Sequence, residues 1–317
     1  MGSPMLLLEL FLTAFLGIIP PSISNCSSLE YLDLFNNQLH GELPRTLGAL
    51  SNLHLLWVHI NVLSGTIPPS ISNLSSLQKL VLSNNQLQGE LPRRLGALYN
   101  LQYLWVSVNL LSGTIPSSIS NISSLQSVNL ASNQLQGELP RSLGTLSNLQ
   151  FLWVPSNVLS GTIPPSISNL SSIQSLILME NQLHGELPVE LGALRSLEWL
   201  QVSSNSLSGT IPPSIFNLSS LQTLQLSYNQ LQGSIPSDIA FTLPQLQALI
   251  LYNNHLSGLV PISLLNLTNL QNIELENNNF TGNIPTHFGQ LHNLQYLGLE
   301  QNNLVGDINA IIYYWKT

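Results

Sequence analysis

Residues Leu77–Asn100 read LQKLVLSNNQLQGELPRRLGALYN, and the pattern inside this stretch decides the fold. Leu80 and Leu82 flank Val81, and an L-x-L step of period two is a short strand with leucines on one side and x positions on the other. Asn85 follows where the chain must turn. Its amide both donates and accepts, so a column of such residues can tie each turn to the backbone of the next. Gly89 relieves a second bend, and Pro92 marks the return path with no N–H to satisfy. One unit of this kind cannot enclose its own leucines; stacked copies can.

The copies are present. Glycines recur at 24-residue steps from Gly17 to Gly233, then one 25-residue step leads to Gly258, and 24-residue steps resume to Gly282 and Gly306. Four places before each stands asparagine: Asn37, Asn61, Asn85, Asn109, Asn133, Asn157, Asn181, Asn205, Asn229, Asn254, Asn278 and Asn302, with Thr13 in the first unit. Proline follows each glycine by three, from Pro20 to Pro285. Units of the type GTIPPSISNLSSLQ alternate with units of the type GELPRRLGALYNLQ, so the copied block was about 48 residues and recurrent features can be one event duplicated. The array therefore covers residues 1–308: 29–308 are regular repeats, 5–28 a degraded first repeat or a weak signal-like segment, and 309–317 a divergent tail containing Tyr313, Tyr314 and Trp315.

Composition narrows the function classes. The chain has 317 residues, 44% hydrophobic and 7% charged, enough to bury a long core. A net charge of −8 argues against a nucleic-acid partner. Cys26 is the single cysteine, so no intramolecular disulfide is possible; it stands where Leu74, Leu170 and Leu218 stand in other copies and is expected to be a buried apolar thiol. His40, His59, His184 and His255 lack metal-ligand spacing, and no cofactor motif or glycine-rich nucleotide loop is present. Glu42, Glu90, Glu138 and Glu186 are copies of one position a repeat pair apart, and the reading is not an enzyme. No stretch reaches the roughly 18 to 20 unbroken apolar residues of a membrane span.

The outward strand positions carry the candidate site. Trp57, Trp105 and Trp153 occupy the x of L-x-L in alternate repeats, each preceded two places earlier by Leu55, Tyr103 and Phe151, while the next repeat of this type moves its indole to Trp199. Val81, Asn129 and Ile177 fill the tryptophan position between them, and His59 follows Trp57. Stacking these strands builds an aromatic stripe, and contiguous exposed apolar surface marks binding sites. The competing account is duplication of one harmless tryptophan, with the rings covering one another. A second constellation is the row of N-x-S/T sequons at Asn25, Asn73, Asn121, Asn169, Asn217 and Asn266, with Asn279 as a seventh. They are glycosylation candidates along one flank, or, more plainly, turn residues capping a short helical segment.

The L-x-G-x-[IL]-P extension and the 24-residue period resemble the ectodomains of plant leucine-rich-repeat receptor-like kinases and receptor-like proteins, over about residues 5 to 308. The 25-residue variant around Pro236, Asp238, Ile239, Leu243, Pro244 and Leu246 resembles one in the immune-receptor subfamily. The resemblance implies an α/β repeat solenoid, a right-handed curved coil of about 12–13 repeats with a parallel β-sheet on its concave face. It implies a peptide, protein or glycan ligand in defence or developmental signalling, a co-receptor as candidate second partner, and an extracellular or plasma-membrane-face location. The family's signal peptide, cysteine caps, membrane span and kinase are not found in this sequence; Met5 to Ile19 is apolar but carries Glu9 and lacks a basic start. An enzyme-inhibitor module of the polygalacturonase-inhibitor type and a non-functional receptor fragment are the alternatives.

Overall fold

The computed structural model describes residues 6–9, 15–285 and 288–306. The 309–317 tail and Thr13 lie outside the described residues. The chain divides into two compact units, Met1–Ser160 and Gly161–Thr317.

In the first unit the L-x-L steps form seven parallel strands, each hydrogen-bonded to the next: Leu6–Glu9, Leu29–Asp33, Leu55–Trp57, Lys79–Val81, Tyr103–Trp105, Ser127–Asn129 and Phe151–Trp153. The segment read as a degraded repeat thus supplies a strand, which pairs with Leu29–Asp33 through a register shift between Leu6 and Leu7. The second unit has six such strands: Ser175–Ile177, Trp199–Gln201, Thr223–Gln225, Ala248–Ile250, Asn272–Glu274 and Tyr296–Gly298. From Leu55–Trp57 to Asn272–Glu274 the middle residue of each strand is a buried leucine, valine or isoleucine, as at Leu56, Leu104, Val128, Leu200 and Ile273. Removing one such side chain from water is worth roughly 1.5–3 kcal/mol. Ile71, Ile119 and Ile167 on the return path close over the same column of leucines.

Three features differ from the sequence reading or go beyond it. The return segments are mostly 3-10 turns, such as Pro69–Asn73 and Ser117–Asn121, with one four-residue α-helix, Ile239–Thr242, in the 25-residue repeat. A second set of short parallel strands also runs through the asparagine–glycine stretch, for example Gln88–Glu90 with Leu110–Ser112. Cys26 is exposed rather than buried. Its equivalent Leu74 is covered by a turn on each side, whereas among the described residues no return turn lies on the outer side of Pro21–Asn25.

The asparagine column ties the turns together. Asn109 Nδ2 donates to Val106 O in its own turn and to Leu82 O one repeat earlier, both at 3.1 Å, while its Oδ1 accepts from Leu87 N at 2.9 Å. The same bonds recur at Asn61, Asn85, Asn133 and Asn157, and in the second unit at Asn205, Asn229, Asn254, Asn278 and Asn302. Asn37 and Asn181 hold their own turns through Leu34 O and Leu178 O. The residue before each asparagine adopts a left-handed conformation, which Asn36 and Asn84 accept readily but Ile60 (φ 56°) and Val108 (φ 53°) do not.

Candidate functional site

The sheet face opposite the leucine core of the first unit presents two columns of side chains. Pairing places Asp33, Trp57, Val81, Trp105, Asn129 and Trp153 in one row, and Tyr31, Leu55, Lys79, Tyr103, Ser127 and Phe151 in the row beside it. The three indoles therefore stand in one register on alternate strands, about 10 Å apart at the usual strand spacing. In the second unit Ile177 and Trp199 occupy different rows, because Trp199 pairs with Ser175.

The rings are half-buried and held edge-on. Tyr103 and Trp105 meet at 5.8 Å between centroids and 85° between planes; Phe151 and Trp153 meet at 5.5 Å and 63°. Trp105 Nε1 donates to Ser127 Oγ at 2.8 Å, fixing that indole across the strand pair. At the other end, His59 stacks on Phe35 at 4.4 Å and meets the edge of Trp57 at 6.1 Å. Burial holds His59 below the ordinary imidazole value, opposed by the nearby Asp33 carboxylate.

One expected site residue needs correction. Val81 is 4% exposed and offers almost nothing to a ligand, since its short side chain lies in register between two indoles. The serines two places beyond Val81 and Trp105, Ser83 and Ser107, are also buried and bond each other, Oγ to Oγ at 2.9 Å. Leu55, Trp57, His59, Tyr103, Trp105, Phe151 and Trp153 do come together, as a shelf of partly covered rings. Sequence reasoning missed Lys79, whose Nζ lies 5.8 Å from the Trp57 ring centroid and 5.1 Å from that of Tyr103. A basic residue at an outward position of the stripe was the available signal. It also passed over Tyr31, Asp33 and Phe35, which extend the aromatic rows by one strand.

On the opposite flank the sequon asparagines Asn25, Asn73, Asn121, Asn169, Asn217 and Asn266 each end a 3-10 turn, exposed, and Asn279 is exposed on a strand of the second unit. The six end their turns and cap none of them at the start, which removes the helix-capping explanation for that position. Among the described residues no group of three or more His, Cys, Asp or Glu is placed to hold a metal ion, and no helix is long and apolar enough to cross a membrane.

Comparison with known proteins agrees with this architecture. Models described as leucine-rich repeat or leucine-rich repeat region match residues 28–50, 83–210, 195–256 and 244–304. The chain is 36% identical to the plant peptide hormone receptor RGFR1, solved in complex with RGF2, over 92% of its own length and 47% of the receptor's, with a TM-score of 0.89. It is 34% identical to the Arabidopsis receptor kinase HAESA, solved with the peptide hormone IDA and the co-receptor SERK1, over 98% and 52% of the two chains, with a TM-score of 0.88. A Leptospira interrogans leucine-rich-repeat protein is 33% identical over 94% of this chain and 74% of that one, with a TM-score of 0.77. The chain thus spans about half the length of the plant receptors it matches. No curated protein sequence matches it. Repeat, register, ladder and relatives agree: this chain belongs to the leucine-rich-repeat family, with the fold of plant receptor ectodomains.

Proposed function

We propose that the chain is a non-catalytic recognition module that binds an extended peptide across the aromatic face of its first unit. The observation that carries this reading is the single register row of Trp57, Trp105 and Trp153. An extended peptide advances about 3.3 Å per residue, so every third side chain meets an indole. Rings already held by Tyr103, Phe151 and Ser127 lose little freedom on binding, which suits them as anchors. The peptide complexes of RGFR1 and HAESA support the ligand class, and the SERK1 complex supports a co-receptor as second partner. The same relatives support an extracellular setting, in which the exposed sequon asparagines carry glycan away from the sheet face.

Hydroxyl-radical footprinting with a peptide selected on the folded chain from a random display library tests the placement. Trp57, Trp105 and Trp153 should lose reactivity on binding while the sequon flank does not. Protection confined to the return turns would place the ligand elsewhere.

A further inference from the structure

The first unit's aromatic face holds hydrogen-bonding capacity that the fold leaves unused. Trp57 Nε1, His54 Nδ1 and His59 Nδ1 are buried and have no hydrogen-bond partner. An indole N–H can only donate, and a buried donor left unmatched has given up its hydration with no bond in return. By contrast, the equivalent Trp105 spends its N–H on Ser127. The residue in Ser127's place one block earlier is Lys79, which cannot accept.

Among the described residues Lys79 has no counter-ion within ion-pair distance. Arg93 pairs with Glu90 on the flank, whereas Lys79 makes ring contacts to Trp57 and Tyr103. Among the described residues it is the only lysine or arginine on the sheet strands of the first unit; the arginines Arg45, Arg93, Arg94 and Arg141 sit on the return path. Rings on both sides hold the ammonium on the face and reduce its contact with water, which strengthens its pull on an anion. The nearest acidic group in the rows, Asp33, is two strands away and already accepts from Phe35 N at 3.0 Å.

We propose that Lys79 and the Trp57 indole N–H together form a carboxylate-binding subsite, flanked by the Tyr103 ring and the His59 edge. This rests on the peptide-recognition reading and specifies it: the peptide presents an acidic group, from a side chain or from its C-terminus, beside an apolar residue. A carboxylate supplies acceptors to the orphaned indole and a charge to the lysine at once. Trp105 and Trp153 then serve the apolar positions further along.

The test uses small probes on the full chain, read by the Trp57 indole N–H resonance, which is assigned from its loss in Trp57→Phe. The probes are N-acetyl-phenylalanine, its neutral amide, and N-acetyl-aspartyl-phenylalanine amide. At least one acid should shift that resonance and bind about tenfold or more tightly than the neutral amide. Lys79→Met should abolish the preference, and Lys79→Arg should retain it, with circular dichroism unchanged in both. Which acid binds better identifies a terminal or a side-chain carboxylate as the source. Equal binding of acids and amide, no binding of any probe, or a preference that survives Lys79→Met would overturn the subsite. Selection of display peptides is scored separately, so a failed subsite with intact peptide capture leaves the broader reading standing, and the reverse outcome sinks only that reading.

Discussion

Replacing Asn109 by alanine tests how the turns are held, and the structure allows the cost to be worked through group by group. The wild-type amide makes bonds to Val106 O, Leu82 O and Ser107 O, and accepts from Leu87 N. In Asn109→Ala the carbonyls are not stranded: Val106 O still accepts from Asn133, and Leu82 O from Asn85, each at 3.1 Å. The Leu87 N–H does lose its acceptor inside the coil. One buried orphan donor costs about 1–3 kcal/mol, and the lost shared bonds add about 1 kcal/mol, for a total of about 2–4 kcal/mol. The double variant Asn109→Ala, Asn133→Ala should exceed the sum of the singles by about 1 kcal/mol, because Val106 O then loses both donors. Urea denaturation followed by circular dichroism gives the totals, and amide exchange gives the location. Leu87 should lose protection in Asn109→Ala while Leu135, held by Asn157 Oδ1 at 3.0 Å, should not. Additive singles with Leu87 still protected would refute the ladder reasoning.

Other outcomes follow from the same geometry. Val108→Asn should raise stability by about 1 kcal/mol, since it relieves a β-branched residue at φ 53° that is 47% exposed; a lower melting temperature would contradict this. Gly65→Ala should destabilise by about 1–2 kcal/mol from backbone conformation alone, at φ 72°, plus a clash 2.6 Å from Glu42 Cγ. Adding Glu42→Ala in the same melting assay should recover the clash but not the backbone cost. The Tyr296 phenol, pushed up to about 12 by its hydrogen bond to Glu276 and by the charges of Glu276, Glu300 and Glu274, should ionise at lower pH in Glu276→Gln. An ultraviolet titration with no such change would remove that bond from the account. Secreted protein expressed in plant cells behind an added signal peptide should carry glycan at several of the seven sequon asparagines, and mass spectrometry finding all of them bare would end that reading.

Much of the molecule was legible because repetition turns single-residue rules into columns. The L-x-L step marks a strand, and Asn109 and its copies sit where only an amide that donates and accepts can serve two turns. The tryptophan rows were legible too, since parallel pairing in register converts a period in sequence into a row in space. What escaped was whatever depends on a neighbour's size or absence. Val81 is an outward residue by period, yet indoles on both sides bury it. Cys26 has the leucine's position without the leucine's cover. Lys79 reads as a solvated charge until the rings of Trp57 and Tyr103 are seen to close on it, and the unused N–H of Trp57 becomes visible only when Trp105 is seen to have a serine beside it.

The central claim is that the first unit's aromatic face is a recognition surface. Titration calorimetry of a display-selected peptide against the chain and against Trp105→Ala, Trp153→Ala tests it most directly. Anchors of this kind contribute about 2 kcal/mol each, so the pair should weaken binding at least about a hundredfold. The fold should persist, because both side chains lie opposite the leucine core. Loss of binding with unchanged circular dichroism is the predicted result; undiminished affinity in the folded double variant would contradict the claim and leave the tryptophan row a by-product of duplication.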